Sequence, residues 1–286
     1  MNKDKTVRDL VQYIRSELRE LYPENEIRSL TSLIFQKATP LKKNYHLHLY
    51  QDITLKPEHY QHIKDITKQL KSGKPIQQIL EEAEFYGLSF KITPSVLIPR
   101  QETEELVDWI IHDTGDARVR ILDVGTGSGC IAISLAKNLK NARVDALDFS
   151  TDILDIAREN ARFNQVELRF FKADILQDDP IEEQYNLIVS NPPYVRESEK
   201  RWMHNNVLGH EPEKALLVED DQPLRFYRKI MQYAGENLLP GGTLYFEINE
   251  AFGEEMKLLL QENNYRNITL KKDLNQKDRM IKAEKP

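Results

Sequence analysis

The sequence predicts an α/β protein: a doubly wound, mostly parallel sheet carried behind a small helical domain. Three observations predict it. Apolar residues recur at three- and four-residue spacing over the first eighty positions. From about residue 103, short strand-like runs alternate with helical stretches, as a parallel sheet covered on both faces requires. Between one such strand and the next helix lies a glycine-rich turn, Gly125-Thr126-Gly127-Ser128-Gly129.

Residues 4–21 place Val7, Leu10, Val11, Ile14, Leu18 and Leu21 on one helical face. A second helix follows Pro23, with Ile27, Leu30, Leu33 and Ile34 inward. A third begins near Pro57, carries Tyr60, Ile63, Ile66 and Leu70, and stops at Gly73. Residues 1–83 therefore read as a helical domain. Residues 84–98 (EFYGLSFKITPSVLI) are aromatic and β-branched around Gly87, as in a short hairpin, and are expected to link to a second domain over 99–286. In that domain the expected strands are 119–124, 143–147, 167–171, 185–189, 243–248 and 267–271. The expected helices are 103–112, 129–139, 151–163, 222–237 and 251–263. The tail after residue 270 is expected to add a last strand, antiparallel to the rest.

Composition narrows the function classes. No apolar run approaches the roughly 18–20 residues that a membrane helix needs, and the first ten residues lack the apolar core of a signal peptide. A cytoplasmic, monomeric protein without membrane attachment is expected. The single cysteine, Cys130, excludes an internal disulfide framework and a multi-cysteine zinc site. The net charge of −6 is uneven: residues 1–95 carry +3 and residues 96–286 carry −9. A chain built to track a phosphate backbone is more often basic, so no stable nucleic-acid partner is expected.

The glycine turn follows the strand residues Ile121-Leu122-Asp123-Val124 and precedes a helix. Glycines there allow positive φ and close approach of a ligand to the backbone, at the sheet edge where doubly wound folds bind nucleotides. A tight turn without a ligand is the plainer reading, but it ignores the succession of strand, glycines and helix. A dinucleotide site is the nearest competitor. Its fingerprint, G-x-G-x-x-G, needs a third glycine where Cys130 stands. The acid Asp123 before the turn also suits a cation better than a pyrophosphate. Asp148 ends the next strand and is placed to accept from both ribose hydroxyls. Asp174 ends the third and could meet an adenine amino group, with Ile175 against the ring. An adenosine bearing a positive centre and no phosphates fits: S-adenosyl-L-methionine, with S-adenosyl-L-homocysteine as product. The fold class is then a Rossmann-like class I S-adenosylmethionine-dependent methyltransferase sheet.

The fourth strand ends in Ser190-Asn191-Pro192-Pro193-Tyr194. Prolines donate no backbone hydrogen bond and fix their own φ, and Pro192 keeps Asn191 out of the helical region. The turn thus offers rigid carbonyl acceptors beside the Asn191 side-chain oxygen. Two adjacent acceptors match a planar NH2, which has two donors, and Tyr194 can pack against its plane. The nucleophile is accordingly a carboxamide or an exocyclic base amine. Its delocalised lone pair needs orientation more than it needs a strong base. Taken alone, N-P-P-Y reads equally well as a proline turn with Asn191 capping locally.

Taken together, "VLIPRQETEELV", "ILDVGTGSGCIAISLA", "ALDFS", "VSNPPYV" and "HEPEKAL" resemble, in that order, the HemK/PrmC family of peptide chain release factor glutamine methyltransferases. The resemblance spans nearly the whole chain. It implies methylation of the side-chain amide nitrogen of the glutamine in the Gly-Gly-Gln motif of bacterial release factors, in translation termination. By matching position, Gly125, Thr126, Gly127, Ser128, Gly129, Asp148 and Asn191 contact the cofactor, with Arg100 and Glu104 near its mouth. Asn191, Pro192, Pro193 and Tyr194 hold the glutamine, and Asn191, Pro192 and Tyr194 carry the catalysis. The helical domain docks the release factor. Two departures are visible: Gln101 stands where the family has a second proline, and Ile175 where many members carry an aromatic residue.

The competing functions are a DNA or RNA amino-methyltransferase using the same N-P-P-Y chemistry, and a ribosome- or release-factor-binding module with a silent site. The first needs a basic groove and a base-flipping pocket. The second leaves the complete motif set unexplained. Several polar residues are set aside. His46, His48, His59 and His62 have no supporting ligands nearby in sequence, so no metal is expected. Cys130 has no partner base and reads as a packing residue. Glu211 reads as a brace for the loop over the substrate. Glu219-Asp220-Asp221 suit the positive end of the helix expected at 222–237.

Overall fold

The computed structural model describes residues 5–41, 44–177, 181, 183–203 and 208–286, and for residues 44–46 the backbone only. Contacts divide the chain into two compact units: Met1–Glu81 with His204–His210, and Glu82–Met203 with Glu211–Pro286.

The first unit is helical. A two-residue strand β1 (Lys5–Thr6) leads into α1 (Val7–Leu18), and it pairs antiparallel with β2 (Thr54–Leu55). The Thr6 hydroxyl accepts from the Asp9 amide while the Asp9 carboxylate accepts from the Thr6 amide, a reciprocal cap for α1. Helix α2 (Glu24–Ala38) starts after Pro23, and α3 (Pro57–Lys71) has Pro57 at its first position, where a missing N–H costs nothing. A short α4 (Ile76–Leu80) closes the unit. Val7, Leu10, Ile14, Leu18, Ile27, Ile34, Ile63 and Leu70 form its core. Leu21 and Leu33, expected inward, are exposed. Leu21 lies beyond the end of α1, and Leu33 sits off a stripe that runs instead through Thr31, Phe35 and Ala38. The side-chain amide of Gln78 donates to the His210 carbonyl (2.6 Å), so the segment ending at His210 belongs to this unit.

The second unit begins with the hairpin β3 (Glu82–Phe85) and β4 (Leu88–Lys91). Ala83, Phe85 and Phe90 of this hairpin are part of the second unit's core, although the segment reads as a linker in sequence. There follow α5 (Gln101–Thr114), β5 (Arg120–Val124), α6 (Cys130–Asn138), β6 (Arg143–Asp148), α7 (Thr151–Phe163), β7 (Arg169–Lys172) and β8 (Tyr185–Ser190). After the short parallel pair β9 (Val195–Arg196) and β10 (Leu217–Val218) come α8 (Arg225–Asn237), β11 (Leu238–Glu247), α9 (Gly253–Glu262), β12 (Arg266–Lys272) and β13 (Asp278–Glu284). The seven-stranded sheet has the order β12-β13-β11-β8-β5-β6-β7. Strands β11, β8, β5, β6 and β7 are mutually parallel, and β13 is antiparallel to both its neighbours.

Adjacent residues of the central strands enter opposite cores. Ile121, Leu187, Val189 and Tyr245 pack with α5, α6 and the hairpin; Leu122, Ile188, Leu244 and Phe246 pack with α8 and α9. That is why these strands read as continuous apolar runs rather than alternating ones. Helix α8 starts at Arg225 rather than 222, after Pro223, and no side chain caps it: the preceding acids make other contacts. Glu219 pairs with Arg225, and Asp220 accepts from the amide and hydroxyl of Ser198.

One buried polar residue ties the glycine turn to the rest of the unit. Asn160 of α7 donates through Nδ2 to the carbonyls of Ser128 (2.9 Å) and Lys91 (3.1 Å), and its Oδ1 accepts from the Lys91 amide (2.7 Å). Asn160→Ala leaves these backbone groups without partners. It should lower stability by about 2–4 kcal/mol, read as a shift in the urea unfolding midpoint of the full chain.

Candidate active site

Parallel strands bring their carboxyl ends to one edge, and strand register fixes what meets there. Val124 at the end of β5 pairs with Leu147 on one side and Ser190 on the other, and Ser190 pairs with Phe246 of β11. The residues one step further on are Gly125, Asp148, Asn191 and Glu247. The Ser190 hydroxyl donates to the Val124 carbonyl (2.7 Å), pinning this edge. A cavity of about 400 Å3 opens over it, lined among others by Gly125–Ser128, Asp148, Asp174, Asn191 and Pro192. That is within the size range of small-molecule sites.

The glycine turn is held from below. The amides of Gly125 and Thr126 both donate to the Leu147 carbonyl (2.9 Å each), and the Gly127 amide donates to the Asp148 carboxylate (3.0 Å). Three amides that a pyrophosphate cradle would use are therefore already engaged. Gly129 has φ +83°, and a Cβ there would stand 2.8 Å from Ile133 Cδ1 and 3.3 Å from the Ala157 side chain. The third glycine serves helix packing as well as the turn.

Beneath the turn, Asp123 is fully buried. One oxygen accepts from the Thr126 hydroxyl (2.7 Å) and the other has no hydrogen-bond partner among the described residues. Burial pushes its carboxyl up to about 7 against the pull of the Thr126 hydroxyl, and the nearby Asp148 adds to the rise. Asp148 is also raised by burial, opposed by the amides of Gly127, Ser150 and Phe149. With about four acceptor sites, the carboxylate keeps capacity beyond these amides, and Asp148 lines the cavity. Buried acids without matching cations favour a positively charged ligand. Cys130 also lines the cavity, but burial raises its thiol to about 12, so no thiolate is available at neutral pH.

The remaining expected site residues divide. Asp174 and Ile175 line the cavity, although the Asp174 carboxylate already accepts from the Leu176 amide (3.0 Å) and the Gln177 side chain (3.2 Å). Arg100 lines it too, its guanidinium fixed by a 2.6 Å ion pair with Glu211. Glu211 is buried and also accepts from the Ile98 amide (3.1 Å), so it braces the chain entering α5. Glu104 does not line the cavity. Its carboxylate accepts from the Tyr86 amide (2.7 Å) at the tip of the hairpin. Successive helical residues point about 100° apart, so the cavity receives Thr103 instead. Gln101 occupies the first position of α5, where the N–H is unpaired in any helix, so a proline there would contribute only pre-organisation.

Asn191, Pro192 and Pro193 line the cavity as expected, and the Pro192 carbonyl receives no hydrogen bond from the described residues. Tyr194 does not line it. Its hydroxyl donates to Glu247 (3.0 Å), its carbonyl accepts from Asn249 (3.1 Å), and burial raises its phenol. Sequence reasoning missed Thr103, which lies in a motif read for Arg100 and Glu104, and Glu247, which lies within a stretch read only as a strand. It also missed Phe149, which is 46% exposed and lines the cavity next to Asp148. An aromatic exposed at a strand end is a signal for a ligand face. Among the described residues no group of three or more His, Cys, Asp or Glu could hold a metal ion, with the His46 side chain outside the described set. No described helix is long and apolar enough to cross a membrane.

Residues 103–216 match the Methyltransferase small domain family. The chain is 45% identical to the release factor glutamine methyltransferase of Bacteroides thetaiotaomicron, covering 96% of this chain and 99% of that one. It is 46% identical to that of Flavobacterium psychrophilum, covering 95% and 96%. The fold is that of the Thermus thermophilus 16S rRNA N2 G1207 methyltransferase in complex with AdoMet and guanosine. There the TM-score is 0.53 and the identity 18%, over 72% of this chain and 50% of that one.

The raised Asp123 carboxyl has a consequence for stability. Its folded value, about 7, lies above the ordinary 3.8 of an aspartate, so the folded chain retains a proton that the unfolded chain releases. Stability from this group is present below about pH 4 and is lost as pH rises to about 7. Asp123→Asn does not titrate. Its stability relative to the parent should therefore climb through that window and level off above it, measured by urea denaturation from pH 4 to 8. A difference that stays flat across the window would show that Asp123 is ionised throughout.

Proposed function

The chain belongs to the release factor glutamine methyltransferase family, and on that premise we propose how its site works and what it acts on. S-adenosyl-L-methionine is the methyl donor, S-adenosyl-L-homocysteine the product, and the acceptor is the side-chain amide nitrogen of the Gly-Gly-Gln glutamine in bacterial peptide chain release factors. The observation that carries the reading is the meeting, at one sheet edge, of a phosphate-averse glycine turn with a rigid two-acceptor turn.

The residues present fit the donor. Gly125–Ser128 give close backbone approach, Asp148 keeps acceptor capacity toward a ribose, and Phe149, Asp174 and Ile175 line the adenine end. Bound there, the donor supplies a methyl group on a cationic sulfur, which the buried acids Asp123 and Asp148 tolerate. Arg100 closes the mouth through its pairing with Glu211.

Asn191 Oδ1 and the Pro192 carbonyl accept the two N–H groups of the glutamine amide. Each acceptor pulls amide protons outward, keeps electron density on nitrogen and fixes the angle of approach. Orientation of this kind is worth roughly 7–11 kcal/mol in well-held systems. Pro193 holds the turn rigid, and Tyr194 supports it from behind rather than stacking on the amide. Residues 1–83 serve to dock the release factor, in keeping with the positive balance of the first 95 residues. The working protein is a cytoplasmic monomer without a stable nucleic-acid partner.

Labelled methyl from S-adenosyl-L-methionine should appear on purified release factor and vanish when the Gly-Gly-Gln glutamine is replaced. Label on tRNA or DNA with none on protein would overturn the reading. Asn191→Ala should lower the turnover number at least about 100-fold, with cofactor affinity measured by calorimetry changing far less.

A further inference from the structure

An asparagine amide has two ends of nearly equal size, and only one of them can serve the proposed site. With Oδ1 toward the cavity, Asn191 accepts from a substrate NH2. With Nδ2 there, two donors face each other. Shape alone does not choose between the two, so something around Asn191 must.

The choice is made by Thr103, at the cavity wall, and by Glu247 behind it. Glu247 ends β11 and is 1% exposed. Its Oε2 accepts from the Thr103 hydroxyl at 2.6 Å and its Oε1 from the Tyr194 hydroxyl at 3.0 Å. A carboxylate only accepts, and a threonine hydroxyl has one proton to give. Thr103 gives that proton to Glu247, so toward any third group its oxygen can only accept. That third group is Asn191, whose Nδ2 donates to Thr103 Oγ1 at 3.3 Å. The nitrogen is thereby turned to the protein and Oδ1 to the cavity.

The fold supplies each member. Ser190 pairs with Phe246, so the residues that follow, Asn191 and Glu247, leave the sheet side by side. Thr103 comes from the first turn of α5, and Tyr194 from the far end of the proline turn. The same carboxylate therefore fixes the turn at both ends, through Thr103 at Asn191 and directly at Tyr194. Glu247 is held in place in its turn, since the Tyr227 hydroxyl donates to its main-chain carbonyl (3.0 Å).

We propose that Thr103 and Glu247 are positioning residues for methyl transfer, a buried relay that sets which end of the Asn191 amide faces the acceptor nitrogen. The relay rests on the reading of Asn191 as the amide acceptor. It acts on turnover through Asn191: Thr103 lines the cavity, but its one hydroxyl proton goes to Glu247, so it has no donor to offer a cofactor.

Thr103→Val keeps the shape and removes the relay, and Thr103→Ser keeps the hydroxyl. The expected result is a turnover number on release factor lower by about 10–100-fold for valine. KM for release factor and calorimetric cofactor affinity should stay near wild type, and serine should restore most of the rate. In the Asn191→Ala background, adding Thr103→Val should leave the residual rate unchanged, because the group that it orients is gone. A valine variant with near wild-type turnover, or one that lowers the residual rate of Asn191→Ala by the same factor, overturns the relay. A wild-type chain that leaves release factor unlabelled overturns the underlying reading instead. Thermal unfolding of each variant, followed in parallel, separates lost turnover from lost fold. Should the valine variant fail to fold, Thr103→Ala is put through the same comparison.

Discussion

Five strands running in one direction finish at one edge, and the second unit is organised by that constraint. Backbone pairing makes Val124, Leu147, Ser190 and Phe246 neighbours. The residues just past them come from segments up to 122 positions apart, yet they have no freedom about where they meet. The glycine turn, the acid of β6, the asparagine of β8 and the glutamate of β11 are consequences of register. Parallel pairing also buries both faces, so the edge is one of the few places where side chains can reach a ligand.

Burial at that edge gives its polar groups their roles. Asp123, Asp148 and Glu247 all carry carboxyls raised by desolvation, but their surroundings differ. Asp123 has one oxygen without a partner among the described residues, Asp148 is bonded by the glycine turn it supports, and Glu247 is satisfied by two hydroxyls. Burying a carboxyl is costly unless donors meet it. Donors recruited for that purpose become fixed, and a fixed donor orients whatever it touches next. Structural satisfaction of Glu247 and orientation of Asn191 are one arrangement seen from two sides.

The motifs that flank the sheet join in the same way. Glu211, from the segment after the proline turn, holds Arg100 and the Ile98 amide just before α5. Two stretches that look independent in sequence are thus a single buttress. Gln101 is tolerated within it because the first residue of a helix has no hydrogen bond to lose.

Much of this was legible in the sequence. Apolar runs and glycines located the central strands, the turn at 125–129 and the antiparallel last strand, since strand burial and positive φ leave direct marks on residue choice. Asn191, Pro192, Asp148 and Asp174 were legible as well, because each stands at or within two residues of a strand's carboxyl end and so lies near the edge. Periodicity misplaced Leu21 and Leu33, whose apolar character satisfies a helical pattern without any partner to bury them. Glu104 was assigned to the site by resemblance, and Tyr194 as a face for the substrate amide as well as by resemblance, but side-chain direction sends both elsewhere. Thr103 and Glu247 could not be found this way at all. Their roles depend on one proton shared across 144 positions, and a hydrogen bond of that reach leaves no local pattern. The sequence by itself determined the sheet, the turn and the class of nucleophile, because those follow from backbone geometry. Only the tertiary structure decided which end of Asn191 is turned to the protein, because that follows from which buried group has a proton to give.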